Sequence, residues 1–444
     1  MFETIAIEVW GVVGFAALLV LVFLRVPIAI AMATVGLVGG TLLTGVKTTG
    51  LTFAASAFES VFPYSLSVIP LFILMGVFVT HADLSKKLYD GMFAMIGHWR
   101  GGLAQATIGA CAMFGAICGS SLATAATMTR VAMPQMRARG YDDGLATGAI
   151  AAGGTLGILI PPSIILLIYG ILTGTSIGKL FIAGLIPGLI GTAFYLGAVR
   201  YSVWSKPDAA PLVHKAAMAT RLRQLGAVWQ VVLLFGLVLG GIYTGWFSTI
   251  EAAAVGAFGG LLAAVIRNRS VGFLPAALED AAKTTAMIFL IIVGTAAFNA
   301  FIERTHLPTL IIGFVADTGL SPMGVLVVLM LVYLALGCVM DGLSVIFVTI
   351  PIVFPLIQSL GIDPVWFGIL LVCATEIGLI TPPVGMNLFI IKGADQRHKH
   401  QDDMERGHSL YRGRHPAVGR LARFPDADAL PDVRGTLSSI SKRS

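Results

Sequence analysis

The chain has 444 residues, 57% hydrophobic and 12% charged, with a formal net charge of +6 and a mean hydropathy of +0.89. Soluble domains carry about 25% charged residues. The composition therefore excludes an ordinary soluble protein, and apolar runs near the ~20 residues of a bilayer crossing recur along most of the length, as in a polytopic α-helical membrane protein. The positive charge sits in short polar stretches, as membrane orientation requires, and is no argument for nucleic acid.

The N-terminus, MFETIAIEVW, carries Glu3 and Glu8 and no basic lead, so it reads as the approach to a retained first span and not a cleaved signal. Spans are predicted at about 9–24, 27–44, 66–81, 144–173, 180–204, 227–245, 250–266, 284–303 and 364–392. Two further apolar stretches, about 104–128 and 323–350, are too rich in Gly, Ser and Thr for simple spans and are predicted to fold back as re-entrant hairpins. Segment 83–103 mixes Lys86, Lys87 and Arg100 with Leu88, Phe93, Met95 and Trp99, the pattern of a helix lying in the membrane interface. Segment 205–224 holds Lys206, Lys215, Arg221 and Arg223 and reads as a cytoplasmic linker. Cys111, Cys118, Cys338 and Cys373 fall in apolar segments without metal or disulfide spacing, and His81 and His98 show no ligand spacing.

The linker separates two copies of one pattern. At a constant offset of 221, Ala31, Gly39, Leu122, Pro134, Gly140 and Asp142 match Ala252, Gly260, Leu343, Pro355, Gly361 and Asp363. GILIPPS, with Gly157, Pro161 and Pro162, then aligns without a gap on GLITPPV, with Gly378, Pro382 and Pro383. A Pro pair breaks a helix by removing hydrogen bonds and clashing with the preceding turn. An odd number of crossings between equivalent points makes the copies face opposite ways, so residues 1–204 and 225–393 are expected to be inverted repeats, each with one hairpin and one broken helix. That is a design of secondary transporters. Backbone groups freed at membrane depth are tolerated only where they are buried in protein or line a cavity. Free carbonyls and hydroxyls suit sodium, and helix N-termini suit an anionic substrate.

In the first copy GSSLATAATMT places Ser120, Ser121, Thr124 and Thr127 at the hairpin, and DGLSVIFVT places Asp341, Gly342, Ser344 and Thr349 at the second. Small-residue helix packing favours the same residue types; the repeat and the adjacent broken helices tip the reading toward an ion site. Gly153, Gly154 and Thr155 precede the first break, Ala374, Thr375 and Glu376 the second, and Thr381 stands before Pro382. Asp341 and Glu376 are intramembrane carboxylates, functional by default because they are costly, although Glu376 could also cap or pair locally. Asn387 is either a substrate contact or a helix–helix hydrogen bond. Ser248, Thr249 and Glu251 form a capping arrangement and read as structural.

FILMGVFV, GSSLATAATM, GGTLGILIPPS, STIEAAAVGA and TEIGLITPPVGMNLF together resemble the large membrane subunit of the tripartite ATP-independent periplasmic (TRAP) transporters, the DctM-like family, over about residues 1–393. The resemblance implies an all-α polytopic membrane protein of the bacterial inner membrane, elevator-type and not an enzyme, that imports an organic anion, often a carboxylate, by sodium symport. It implies two protein partners, a periplasmic substrate-binding protein and a small four-helix membrane subunit, the latter a separate chain because no fusion precedes Met1. Sodium is the coupling ion and no resident cofactor or other metal is expected. Carried over by motif, the sites involve Ser120, Ser121, Gly154, Thr155 and Pro161, and in the second copy Asp341, Gly342, Ser344, Thr375, Gly378 and Thr381. Within transport the alternative is a stand-alone sodium/dicarboxylate symporter or antiporter; outside it, an intramembrane hydrolase using Asp341 and Glu376.

The repeat also demands a span near 401–425, equivalent to 180–204. What stands there includes Asp402, Asp403, Glu405, Arg406, Arg412, Arg414, Arg420 and Arg423, which cannot span a bilayer. From about Ala394 the resemblance stops. Either the reading frame shifts near codons 393–397, since codons exist for this segment whose neighbouring frame encodes an apolar helix, or the tail is a genuine basic extension on a shortened, even inactive, transporter. Sequencing the coding DNA across codons 385–444 decides: an inserted or missing base restores the last span, and an unchanged read leaves a truncated second copy with poor folding or no transport.

Overall fold

A computed structural model describes residues 7–215 and 217–395. The first residues of the N-terminal approach and the anomalous tail from 396 onward lie outside the described residues. Every regular element among the described residues is helical. In chain order these are α1 (Ile7–Phe23), α2 (Ile28–Thr44), α3 (Val46–Val61), α4 (Val68–His81), α5 (Leu84–Ile96), α6 (Gly102–Cys118), α7 (Ser121–Arg137), α8 (Asp143–Leu159) and α9 (Ile164–Thr173). There follow α10 (Ile177–Ser205), α11 (Met218–Gly226), α12 (Trp229–Tyr243), α13 (Thr249–Asn268), α14 (Leu274–Arg304), α15 (Leu307–Asp317), α16 (Pro322–Gly337), α17 (Gly342–Ser359) and α18 (Pro364–Ile380). A last short helix, α19, starts at 386.

Among the described residues six stretches are long and apolar enough to cross a bilayer: Tyr64–His81, Asp143–Thr173, α10, α13, α14 and α17. A seventh arises if α11 and α12, bent by 43°, count as one. The predicted spans at 9–24 and 27–44 are helices of 17 residues. The span predicted at 284–303 begins earlier, at Leu274, because its first turns carry Glu279, Asp280 and Lys283 and fail a hydropathy test while remaining helical. Both hairpins outrun their expected ends of 128 and 350, continuing to Arg137 and Ser359 through Pro134 and through Pro351 and Pro355. The interfacial helix stops at Ile96, short of the expected 103, because the chain turns through Gly101 at φ 73. The linker is partly helical, and Arg221 in α11 donates to the Ala94 and Met95 carbonyls at 3.1 and 2.7 Å, capping the C-terminus of α5. Helices α3 and α15 were not expected. The first holds Lys47 and Glu59 and the second has 11 residues, so neither meets the hydropathy and length of a span.

Eight of the described helices start where a short polar side chain accepts a backbone N–H that would otherwise be orphaned. Ser120, Asp142, Ser163, Ser176, Ser321, Asp341 and Asp363 all act in this way. Ser248 and Glu251 form the expected capping box, with bonds of 3.3 and 2.7 Å. Helix bounds recur at the offset of 221: α2 and α13 start at 28 and 249, α7 and α17 at 121 and 342, α8 and α18 at 143 and 364. Packing recurs as well, with α2 along α14 and α13 along α4, and with α8 on α6 and α18 on α16.

In the 18-residue apolar window of Asp143–Thr173, 83% is buried, against 22% for α10, so the broken helix is core and α10 is a peripheral helix. The core rests on close approaches of small residues. A Cβ on Gly115 of α6 would lie 2.2 Å from the Gly157 Cα of α8, a contact with no flexible side chain to give way. Gly115→Ala is therefore expected to lower stability by about 1–3 kcal/mol through overpacking, whereas Gly148→Ala, with open space around its Cβ, has no such clash. Thermal midpoints of the purified variants in detergent check this; equal midpoints would contradict the crossing.

Candidate functional site

Each predicted hairpin is a pair of helices, α6–α7 or α16–α17, joined by a turn of a few residues. In the first, Gly119 at φ 65 ends α6 and Ser120 begins α7, its hydroxyl accepting from Ala123 N at 3.3 Å. In the second, Asp341 caps α17, accepting from Ser344 N at 3.3 Å and from the Ser344 hydroxyl. Each broken helix leaves helical geometry at a residue with extended backbone, Ile160 or Thr381, and resumes after its Pro pair. The first resumes at Ser163, which accepts from Leu166 N at 3.3 Å. The second resumes after Gly385 at φ 61.

A side-chain bond joins the first hairpin tip to the second broken helix. The buried Ser121 hydroxyl donates to Glu376 Oε2 at 2.5 Å, across 255 residues. Glu376 is 1% exposed. Its second oxygen, Oε1, has no hydrogen-bond partner among the described residues, and neither have Thr124 Oγ1 and Asn387 Oδ1. Asn387 donates to the Ala151 carbonyl at 3.2 Å, the helix–helix bond that was one of its two expected roles. A Cβ on Gly154 would lie 3.3 Å from the Ser121 carbonyl and 3.4 Å from Asn387 Nδ2. A Cβ on Gly342 would lie 3.6 Å from Glu376 Oε1 and 3.9 Å from Thr375 Oγ1. Buried polar atoms are normally satisfied. Here the orphans are oxygens on α7, α18 and α19, the donor type that a hard cation takes.

These orphans lie behind a cavity of about 450 Å³. Ser120 and Ser121 reach it from the first tip, Asp341, Gly342 and Ser344 from the second, and Thr284, Met287 and Leu290 from α14 opposite. Five helices open onto it at their N-terminal ends, namely α2 at Ile28, α7 at Ser121, α9 at Ile164, α17 at Gly342 and α19 at Met386. Among the described residues no Lys or Arg lines it and one carboxylate, Asp341, does. Helix N-termini carry about half a positive charge each, which favours an anion, although Ser120, Ser163 and Asp341 already accept part of the N–H groups at three of these ends.

Of the residues singled out from sequence, Ser120, Ser121, Asp341, Gly342 and Ser344 thus share the cavity, with Thr124, Gly154 and Thr375 buried behind it. The others are placed differently. Thr155 bonds the Ala152 carbonyl and Tyr195 of α10, at 2.7 and 3.2 Å. Gly378 packs on the Leu334 carbonyl of α16. Thr381 turns back to the Ile377 carbonyl at 2.6 Å. Pro161 is buried in the first break, where Gly188 of α10 covers Ile160. Sequence reasoning left out Thr284 and Met287, which belong to no motif, and Met386, which lies in TEIGLITPPVGMNLF but was not singled out. It weighed Glu376 and Asn387 without placing them in the site; their signal was polarity inside an apolar helix. Among the described residues no group of three His, Cys, Asp or Glu side chains could hold a metal.

Residues 15–401 match the family described as tripartite ATP-independent periplasmic transporter, DctM component. The chain is 40% identical over 341 residues to the C4-dicarboxylate TRAP transporter large permease protein DctM of Pseudomonas aeruginosa, covering 76% of this chain and 79% of that one. It is 35% identical over 386 residues to the isethionate TRAP transporter permease protein DctMQ of Oleidesulfovibrio alaskensis, covering 86% and 59%. Its fold is similar to the crystal structure of the YdaH transporter of Alcanivorax borkumensis, with a TM-score of 0.53 at 16% identity over 80% of this chain and 82% of that one. A multi-span, all-helical chain with this site and these relatives is a transporter permease of the bacterial inner membrane and not an enzyme: it belongs to the DctM family of TRAP transporter large permeases.

Proposed function

We propose that this chain is the sodium-coupled import subunit for an organic anion, working with a periplasmic substrate-binding protein and a small four-helix membrane subunit. The observation that carries the reading is the combined site: five helix N-termini around one cavity, backed by buried oxygens without protein partners. The N-termini take the anion, and the oxygens of Glu376, Thr124 and Asn387 take sodium behind it, so the two bind as a neutralised pair. This agrees with relatives whose names specify a dicarboxylate and a sulfonate, two anions. The DctMQ name of the isethionate relative agrees with a small-subunit partner. The recurrence of helix bounds at 221 supports two inverted repeats, 1–204 and 225–393, whose hairpins and broken helices move together past the α2, α4, α13 and α14 layer in an elevator step. Which anion is carried is shared with the binding protein.

Reconstitution with both partners in proteoliposomes tests the reading: uptake should follow an inward sodium gradient and vanish when choline replaces sodium. Uptake indifferent to sodium would sink the coupling, and full uptake without the binding protein would favour a stand-alone symporter. Glu376→Gln keeps the hydrogen bond from Ser121 but removes the charge. It is expected to raise the sodium concentration for half-maximal uptake about tenfold, the scale of one charge-assisted interaction. An unchanged sodium dependence would remove Glu376 from the ion site.

A further inference from the structure

We propose that the groove between the α5–α6 loop and the last turns of α10 is a headgroup site for an anionic phospholipid. The groove, about 770 Å³, is lined by Trp99, Arg100, Arg200, Tyr201, Val203 and Trp204. The loop is pinned there because Gly101, at φ 73, sits against α10, with Val203 Cγ2 2.9 Å and Val199 Cγ1 3.3 Å from where its Cβ would be. That contact brings Arg100 beside Arg200. Both guanidinium side chains are exposed and have no hydrogen-bond or ion-pair partner among the described residues, and no carboxylate lines the groove.

Charge alone would suit any anion; the surroundings select a lipid. Trp99, Tyr201 and Trp204 are 48%, 68% and 77% exposed, and such rings belong at the headgroup level. Below Tyr201, at the three-to-four-residue spacing of one helix face, Phe194, Ile190 and Ile186 are exposed, an apolar strip along which an acyl chain can lie. The groove also adjoins the basic linker that begins at Lys206, which places it on the cytoplasmic face by the positive-inside rule. Basic pockets between transmembrane helices on that side suit anionic headgroups. The phosphate bridges the two arginines, the tryptophans flank the glycerol region, and the chain descends along α10. A free phosphate would use only the first of these features.

Native mass spectrometry of the full chain, offered phosphatidylglycerol and phosphatidylcholine of identical acyl chains in equal amounts, tests this. Wild type should retain phosphatidylglycerol in preference by tenfold or more, at about fivefold per arginine. Arg100→Gln with Arg200→Gln should abolish the preference, and Arg100→Lys with Arg200→Lys should keep most of it. Equal retention of the two lipids by wild type, or an undiminished preference in the Gln pair, overturns the proposal. So does displacement of phosphatidylglycerol by millimolar inorganic phosphate, which would make this a free-anion site. Loss of the preference when the small membrane subunit is added would make the groove a protein interface and overturn it too.

Discussion

A helix interrupted inside a bilayer leaves N–H and C=O groups that lipid cannot satisfy. In the proposed transporter arrangement the chain would meet this constraint at four interruptions, the α6–α7 and α16–α17 turns and the breaks after α8 and α18, and much of the architecture accords with it. The freed N–H groups are taken up by Ser120, Ser163 and Asp341, each a short side chain at the first residue before a helix. The freed carbonyls demand protein around them, and α6, α8 and the first break lie at the centre of the bundle, while Pro382 and Pro383 of the second break are exposed. Centrality in turn demands that helices approach closely. That is why Gly115 crosses Gly157, and why Gly337 and Gly378 meet in the second copy. Such small-residue crossings hold helices together in lipid, where apolar contact alone gives little preference for protein over acyl chain.

The same arrangement makes an uncommitted polar interior possible. A buried carboxyl is destabilising unless a partner compensates it, and Glu376 has one protein bond for two oxygens. Its retention is understandable if the missing partner arrives with the substrate, as the proposed sodium coupling requires. A site that is stable only when ion and anion are both present also resists moving half-loaded, because the unpaired charge would have to cross with it.

How much of this could be read from sequence depends on the range of the interaction. The Pro pairs, the capping residues and the repeat are local or periodic signals, and the two breaks and the Ser248–Glu251 cap stand where those signals put them, while α14 begins ten residues before its predicted start. Helices α3 and α15 escaped because hydropathy sees only apolar length, and one is too polar and the other too short. The Ser121–Glu376 bond escaped for another reason. It links different elements of different copies, and no periodicity within either segment encodes that pairing. Likewise nothing in TEIGLITPP indicates that Thr381 would turn back onto its own helix while Thr375 stays buried. The cavity's far wall on α14 is invisible from motifs, since Thr284, Met287 and Leu290 read as ordinary span residues.

The two halves differ in sequence at the candidate site. At the offset of 221, Thr155 corresponds to Glu376 and Ser121 to Gly342. In the first copy the Thr155 hydroxyl is absorbed by Tyr195 of α10, and α10 also covers the first break, so Pro161 and Pro162 are buried. In the second copy the equivalent position carries a carboxyl that reaches across to the first hairpin, and Pro382 and Pro383 are exposed. The residues standing 221 beyond α10 lie outside the described ones. Two identical repeats would carry two equal polar pairs. Substituting Glu for Thr on one side, and removing the hydroxyl opposite it at Gly342, leaves a single buried acid whose one partner comes from the other copy. That bond, with those from Asn387 to the Ala151 carbonyl and from Tyr169 to the Pro364 carbonyl, joins the two halves of the chain. An ion bound at Glu376 would then act on both copies at once.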